Sequence, residues 1–334
     1  MKEKLIKAEK KGKGSQEFVK YFSFSAIIIL VLVFWMIDPG FLNRANLSNL
    51  LSDTAPLMIM ACGATFVLIL GSVDLSVGAV CSVVNVLAVF FLTMFFAQNG
   101  NVLGSALMGY GLALLFGGVA GLLLGLAHVF LKLPSFIASL GFMSVWKSVA
   151  LLVSNSPVSI PKLLRPAVDW AKISFGVIGL PLVLALIIVI TFYIIQTKTN
   201  FGKALYAIGG NERAARIAGV NINKTKIVAF VLAGLCAALG SIFLVAKLKS
   251  STPTVGDSFT LLVIASVALG GTALSGGKGS VLGTVLGVFI VSIIRNGMIF
   301  AGVDVFWQDI VFGIVVIAAV AVSVDRSIKN LIVK

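Results

Sequence analysis

Ten times along the chain the sequence settles into an apolar run about as long as a membrane is thick. Each run stops at a cluster of Gly, Pro, Asn or charged residues. A hydrocarbon core ~30 Å thick needs ~20 apolar residues per helix. The runs fall at about 18–37, 55–71, 76–97, 102–131, 134–153, 175–196, 225–246, 259–274, 280–301 and 305–324. With 59% hydrophobic and 11% charged residues, the chain lacks the polar side chains to cover a water-soluble globule, and it is far too apolar to be disordered. The expected fold is an all-α polytopic membrane protein with about ten transmembrane helices. Residues 43–53 read as a short outer segment, and 154–172 as a polar stretch along the outer surface.

The net charge of +14 invites a nucleic-acid reading, but its distribution argues for topology instead. Seven lysines precede residue 21, six Lys/Arg lie between Lys198 and Lys226, and Arg326, Lys329 and Lys334 follow the last run. Loops rich in Lys and Arg mark the cytoplasmic side. With ten crossings and both termini cytoplasmic, 18 of the 26 basic residues, Lys132 and Lys278 among them, face inward. The lysine-rich start ahead of Phe22–Ile37 resembles a signal peptide. It ends in Asp38-Pro39-Gly40 without a small-residue cleavage site, so an uncleaved first span is expected. Cys62, Cys81 and Cys236 sit inside apolar runs without C-x-x-C spacing, and His128 is the single histidine; no disulfide, metal site or cofactor is indicated.

Two segments break the apolar pattern in a similar way. Leu70–Gly78 aligns with Leu269–Gly277 at five of nine positions, and each joins two spans. Duplication is one reading, since transporters often carry broken helices in related halves; chance in a Gly/Leu/Ser-rich sequence is the other. The Gly270–Ser280 stretch is not a phosphate-binding loop, because Gly277-Lys278 is followed by Gly279 and Thr272 stands where a glycine is required. A tight turn is the better reading, with Gly279 and Gly283 letting helices approach. In the basic loop, Asn211 is placed to cap a helix that has Glu212 in its first turn, Arg216 in its last and Gly219 at its end. Ala214, Ala215 and Ala218 give that helix a small-residue face. It either fits a partner's groove or belongs to a connector helix.

Several motifs, in order along residues 50–325, resemble the simple-sugar permeases of ATP-binding-cassette (ABC) importers, of the ribose/xylose/galactoside type. They are Thr65–Leu68 with Gly71 and Asp74–Gly78, Pro134–Gly141, Phe201-Gly202 with Ala207–Gly219, Leu269–Thr272, Ser275–Ser280, Gly283-Thr284, Asn296-Gly297 and Phe306–Gln308. The resemblance implies a permease domain over 18–325, flanked by cytoplasmic tails 1–17 and 326–334, in a bacterial plasma membrane. It implies that the 198–224 loop carries a coupling helix docking on a separate ATPase subunit through Ala207, Gly209, Gly210, Asn211, Glu212, Arg213, Ala215 and Gly219. It also implies a second permease copy, identical or paralogous, and a substrate-binding protein that delivers the solute. The chain itself is then no enzyme. It departs from many relatives at His128-Val129, Thr260 and Trp146-Lys147, which weakens any choice of sugar more than the family.

Candidates for the path are Asp74, Ser76, Ser82, Asn85, Phe136, Asn296, Trp307 and Gln308. Asp74 is the carboxylate embedded between long apolar runs, so it is either functional or a helix cap. Ser82 and Asn85 share a helix face, and either offer hydrogen bonds to sugar hydroxyls or pack between helices. Trp307 either stacks on a sugar or anchors at the interface, and His128 reads as a capping or interface residue. An ion-coupled secondary transporter is the alternative function, but it wants several buried carboxylates. A membrane enzyme would need a nucleophile–base or metal constellation, which one histidine and four glutamates do not supply.

Overall fold

The computed structural model describes residues 23–323; the tails 1–17 and 326–334 and the outermost ends of the first and tenth expected spans lie outside them. Twelve helices follow one another: α1 Ser23–Ile37, α2 Arg44–Ile69, α3 Val77–Asn99, α4 Val102–Phe130, α5 Ser135–Val153 and α6 Leu180–Lys198, then α7 Asn200–Gly210, α8 Glu212–Ile217, α9 Ile222–Leu248, α10 Phe259–Leu269, α11 Val281–Phe300 and α12 Val305–Ser323. Seven of them (α2, α3, α4, α5, α6, α9 and α11) are long and apolar enough to cross a membrane among the described residues. Shorter apolar stretches are α1, α10 and the Phe306–Val315 part of α12.

Two elements differ from expectation. The stretch 43–53 is no separate outer segment. Asn43 caps a helix by accepting from the Ala45 N–H, and that helix continues through Pro56 to Ile69. The eighth expected span, 259–274, is helical only over the 11 residues of α10. That is about 16 Å at 1.5 Å per residue, roughly half a bilayer. The shortfall is at its C-terminal end, where the Gly271 and Thr272 N–H groups cap the Ala268 and Val267 carbonyls and close the helix.

The other helix boundaries follow local chemistry. Asn101 accepts from the Leu103 and Gly104 N–H groups at the start of α4, and Ser280 accepts from Gly283 at the start of α11. Glycine sets the packing. Gly117, Gly121 and Gly125 place one face of α4 against Gly234, Phe230 and Ile227 of α9, where a Cβ on Gly117 would lie 2.7 Å from the Gly234 carbonyl oxygen. Helices α2, α3, α9 and α10 form the buried centre, whereas α4, α5 and α6 turn much apolar surface outward. Between α5 and α6, two-residue strands pair Val158-Ser159 with Ser250-Ser251, and Ser174-Phe175 with Ile178-Gly179. Two 3-10 turns, Lys162–Ala167 and Asp169–Lys172, complete this surface segment. Asp169 there accepts from Lys249 at 3.0 Å and pairs with Lys172, and these contacts hold its carboxyl below the usual range.

Candidate translocation and coupling sites

The two breaks close in the same way, one residue out of step with their sequence alignment. At the end of α2, the Gly71 N–H donates to Leu68 O and the Ser72 N–H to Val67 O; at the end of α10, Gly271 donates to Ala268 O and Thr272 to Val267 O. Each is a Schellman cap, and its glycine takes a left-handed φ, +76° at Gly71 and +82° at Gly271. Gly71 therefore corresponds to Gly271, not to Gly270 as the sequence echo pairs them. After the first break, Asp74 Oδ1 accepts from the Ser76 N–H at 2.7 Å and the Ser76 hydroxyl at 2.6 Å, forming a buried turn that launches α3. Val73 N–H donates to Ser135 Oγ at the start of α5, while the neighbouring Phe136 points outward and is exposed.

Ser82 and Asn85 hold the non-helical run ahead of α10. Gly256 N–H donates to Ser82 Oγ at 2.9 Å, and Thr252 N–H to Asn85 Oδ1 at 2.7 Å. The Asn85 amide donates to Ser241 O, and Gly78 N–H donates to Thr260 Oγ1. Positions 252, 256 and 260 thus descend antiparallel along the first turns of α3. A Cβ on Gly78 or Gly256 would enter the other strand's backbone. Ser82 and Asn85 are fully buried, with their polar atoms engaged by backbone. Sequence reasoning placed these two residues on one face but missed their partner, because 252–258 lies far along the chain and looks like an ordinary polar connection.

The remaining path candidates lie elsewhere. Asn296 and Asn46 exchange reciprocal amide bonds at 2.9 Å, and Asn46 also donates to Phe41 O, tying α11 to the start of α2. Gln308 is buried and donates to Val303 O, whereas Trp307 is exposed. His128 Nδ1 lies 2.7 Å from Leu133 O across the turn after α4, and its ring meets Phe230 edge-on.

The basic loop folds into α7 and α8. Asn211 accepts from the Ala214 N–H and caps α8, and Gly219 ends it at φ +81°. Glu212 accepts from Lys226 at 2.8 Å and Arg216 at 3.1 Å; Lys226 foremost holds its carboxyl below the ordinary range. Ala215 is buried against its own chain, so the outward face of α8 presents Arg213, Ala214, Ala218 and Ile217, the last 83% exposed. On α7, Ala207 and Gly210 are exposed and Gly210 has open space around it.

Gly209 faces the other way. It packs on the Ile69 carbonyl and on Gly277, whose N–H donates to that same carbonyl at 2.8 Å. One turn earlier, Tyr206 donates to Gly279 O at 2.6 Å and accepts from the Gln196 amide, while Gln196 Oε1 accepts from the Val281 N–H. Phe66 of α2 meets Phe192 of α6 at a tilt and Phe201 of α7 edge-on. Helix α7 thus packs on the first break through Gly209 and is hydrogen-bonded to the second through Tyr206, while the two breaks are bonded to each other by Gly277 N–H and Ile69 O. Neither Tyr206 nor Gln196 stood out in the sequence, since a lone Tyr and a lone Gln at span ends carry no spacing signal.

In this arrangement a compact polar connector packs against two interhelical breaks. Residues 46–320 match the family model described as "Branched-chain amino acid transport system / permease component". The chain belongs to this permease family. Among its relatives it is 37% identical over 302 residues to the probable ABC transporter permease protein YphD of Escherichia coli K12, covering 89% of this chain and 87% of the relative. It is 34% identical to the ribose import permease protein RbsC of Bacillus subtilis 168, covering 91% and 92% respectively. It is 32% identical to the galactose/methyl galactoside import permease protein MglC of Escherichia coli K12, covering 93% and 96%. As a member of the family the chain is a multi-pass transport permease.

Proposed function

We propose that the chain is the membrane subunit of an ABC importer that carries a sugar or a related small polar solute across a bacterial plasma membrane. The relatives named for ribose and galactose import support a sugar cargo, and the family supports an ATPase subunit and a substrate-binding protein as partners. The contact of α7 with both breaks, by packing at Gly209 and by the Tyr206 bond to Gly279 O, carries the mechanism, because it gives a route from a cytoplasmic motor to the membrane interior. The α8 cap, its exposed face and the α7 bonds support 198–224 as the coupling segment.

In this reading the seven long helices and the three shorter apolar ones make ten crossings, with α10 and the turns before it completing one of them together. Both termini then lie in the cytoplasm, and a second permease copy closes the path. ATP binding on the partner moves α8 and α7; Gly209 and Tyr206 pass the displacement to Ile69 and Gly279, where the breaks let α2 and α10 shift as units. The broken helices, not a cofactor, supply the moving parts. The similarity to ABC permeases weighs against an ion-coupled carrier.

The experiment is to purify the detergent-solubilised chain by affinity from its own membranes and assay ATP hydrolysis. An ATPase should accompany it. Replacing Gly210 with Trp, where open space surrounds the α-carbon, should leave insertion intact and abolish solute uptake. Uptake that persists at the normal rate would remove the coupling assignment.

A further inference from the structure

One ion pair stands where a membrane protein should not leave it bare. Lys147 Nζ lies 2.9 Å from Asp257 Oδ2, with the two side chains 47% and 44% exposed. Lys147 belongs to α5, six residues before its end at Val153, or about 9 Å along the axis. Asp257 directly follows Gly256, whose N–H is held by the fully buried Ser82 five residues into α3. Lys147 is therefore displaced from the end of α5, and Asp257 is held beside the second turn of α3.

A Lys or Asp facing lipid within a membrane span is costly, and such residues almost always face a bundle interior or a water-filled cavity. Non-helical backbone at that depth is likewise restricted to protein interiors and wet cavities. Ser144 and Ser148 add exposed hydroxyls at helical spacing on the same α5 face.

We propose that Lys147 and Asp257 line the water-filled translocation path and balance its charge, so that an uncharged polyhydroxy solute meets one ammonium donor and one carboxylate acceptor. The cargo class rests on the importer reading; the wet location of the pair does not. Lys147 and Asp257 are then specificity-determining residues of the path. The sequence could not show them as a pair, because a polar residue in an apparent loop and a lysine in a span are 110 positions apart.

The test is thiol labelling of the assembled full-length transporter in membrane vesicles. Cys62, Cys81 and Cys236 are buried, so background reaction is low. Ser148→Cys is compared with Leu186→Cys, an exposed position on the apolar α6, using the water-soluble cation MTSET and anion MTSES. Ser148→Cys should react at least about tenfold faster than Leu186→Cys with both reagents. Added to it, Lys147→Met should raise the MTSET/MTSES rate ratio, and Asp257→Asn should lower it, each by about tenfold through the unpaired charge in a low-dielectric cleft. Slow reaction at Ser148→Cys equal to that at Leu186→Cys would overturn the proposal, as would a ratio that neither variant shifts. Co-purification of an ATPase is scored separately, so failure of the importer reading leaves the labelling result interpretable.

Discussion

Adjacent glycines at the end of α7 make opposite demands. A methyl on Gly209 would enter the Ile69 carbonyl and the Gly277 amide, both backbone, so Gly209→Ala should destabilise by about 1–3 kcal/mol through overpacking. Gly210→Ala meets nothing and should unfold near the parent temperature, as a thermal-unfolding assay in detergent would report. The Asn46–Asn296 exchange predicts strong coupling. Asn296→Ala strands a buried amide at about 1–3 kcal/mol, and Asn46→Ala added to it should cost less than it does alone. Strict additivity would show that the pair is not a unit. Glu212 links this scale to pH. Its carboxyl is lowered by Lys226 and Arg216, so its stabilisation is fully present above the ordinary value of 4.5 and fades as pH falls through the lowered folded value. Because the side chain is 42% exposed, the effect is only about 0.2–1 kcal/mol, read as the difference between parent and Glu212→Gln closing at acid pH.

At the scale of elements, the paired Schellman caps predict matched sensitivities. Gly71→Ala and Gly271→Ala each force an L-residue into left-handed backbone, at about 1–2 kcal/mol, whereas Gly270→Ala is opposed by a neighbouring helix and not by its own φ. Tyr206→Phe removes the bond to Gly279 without changing shape, and should lower uptake more than ATP hydrolysis in the reconstituted complex. Equal loss of both would point to a merely structural tyrosine. Most elements were legible because hydrophobic runs and Asn/Gly signals are local: Asn211 and Gly219 do what their positions suggested. The misreadings have long-range or competing causes. Polar Asn46, Ser48 and Asp53 hid the first turns of α2, which tertiary bonds to α11 help retain. The early end of α10 is set by the cap at Gly271, which competes with an apolar run that continues through Ala273 and Leu274. The echo slipped by one position because identity favours pairing Gly71 with Gly270, while the carbonyl left to be capped selects Gly271.

Across the whole molecule, the surface divides the work. The outward apolar faces of α4, α5 and α6 suit lipid or another copy of the chain, the buried α2–α3–α9–α10 centre holds the breaks, and the α7–α8 projection carries an exposed Ile217 beside its basic residues. Of the site residues read from the sequence, those in the connector proved to form one structural unit. The path candidates are spread over four separate places, because a span's polar residues reveal their face but not the helix that meets them. The central claim is that α7 and α8 face the cytoplasm and grip a separate motor. Its most direct measurement is labelling of Asn211→Cys, in a chain whose native cysteines are buried, with an impermeant thiol reagent on vesicles of either orientation. The account predicts modification only in inside-out vesicles, with protection when the ATPase subunit is bound; modification from the outer face would contradict it.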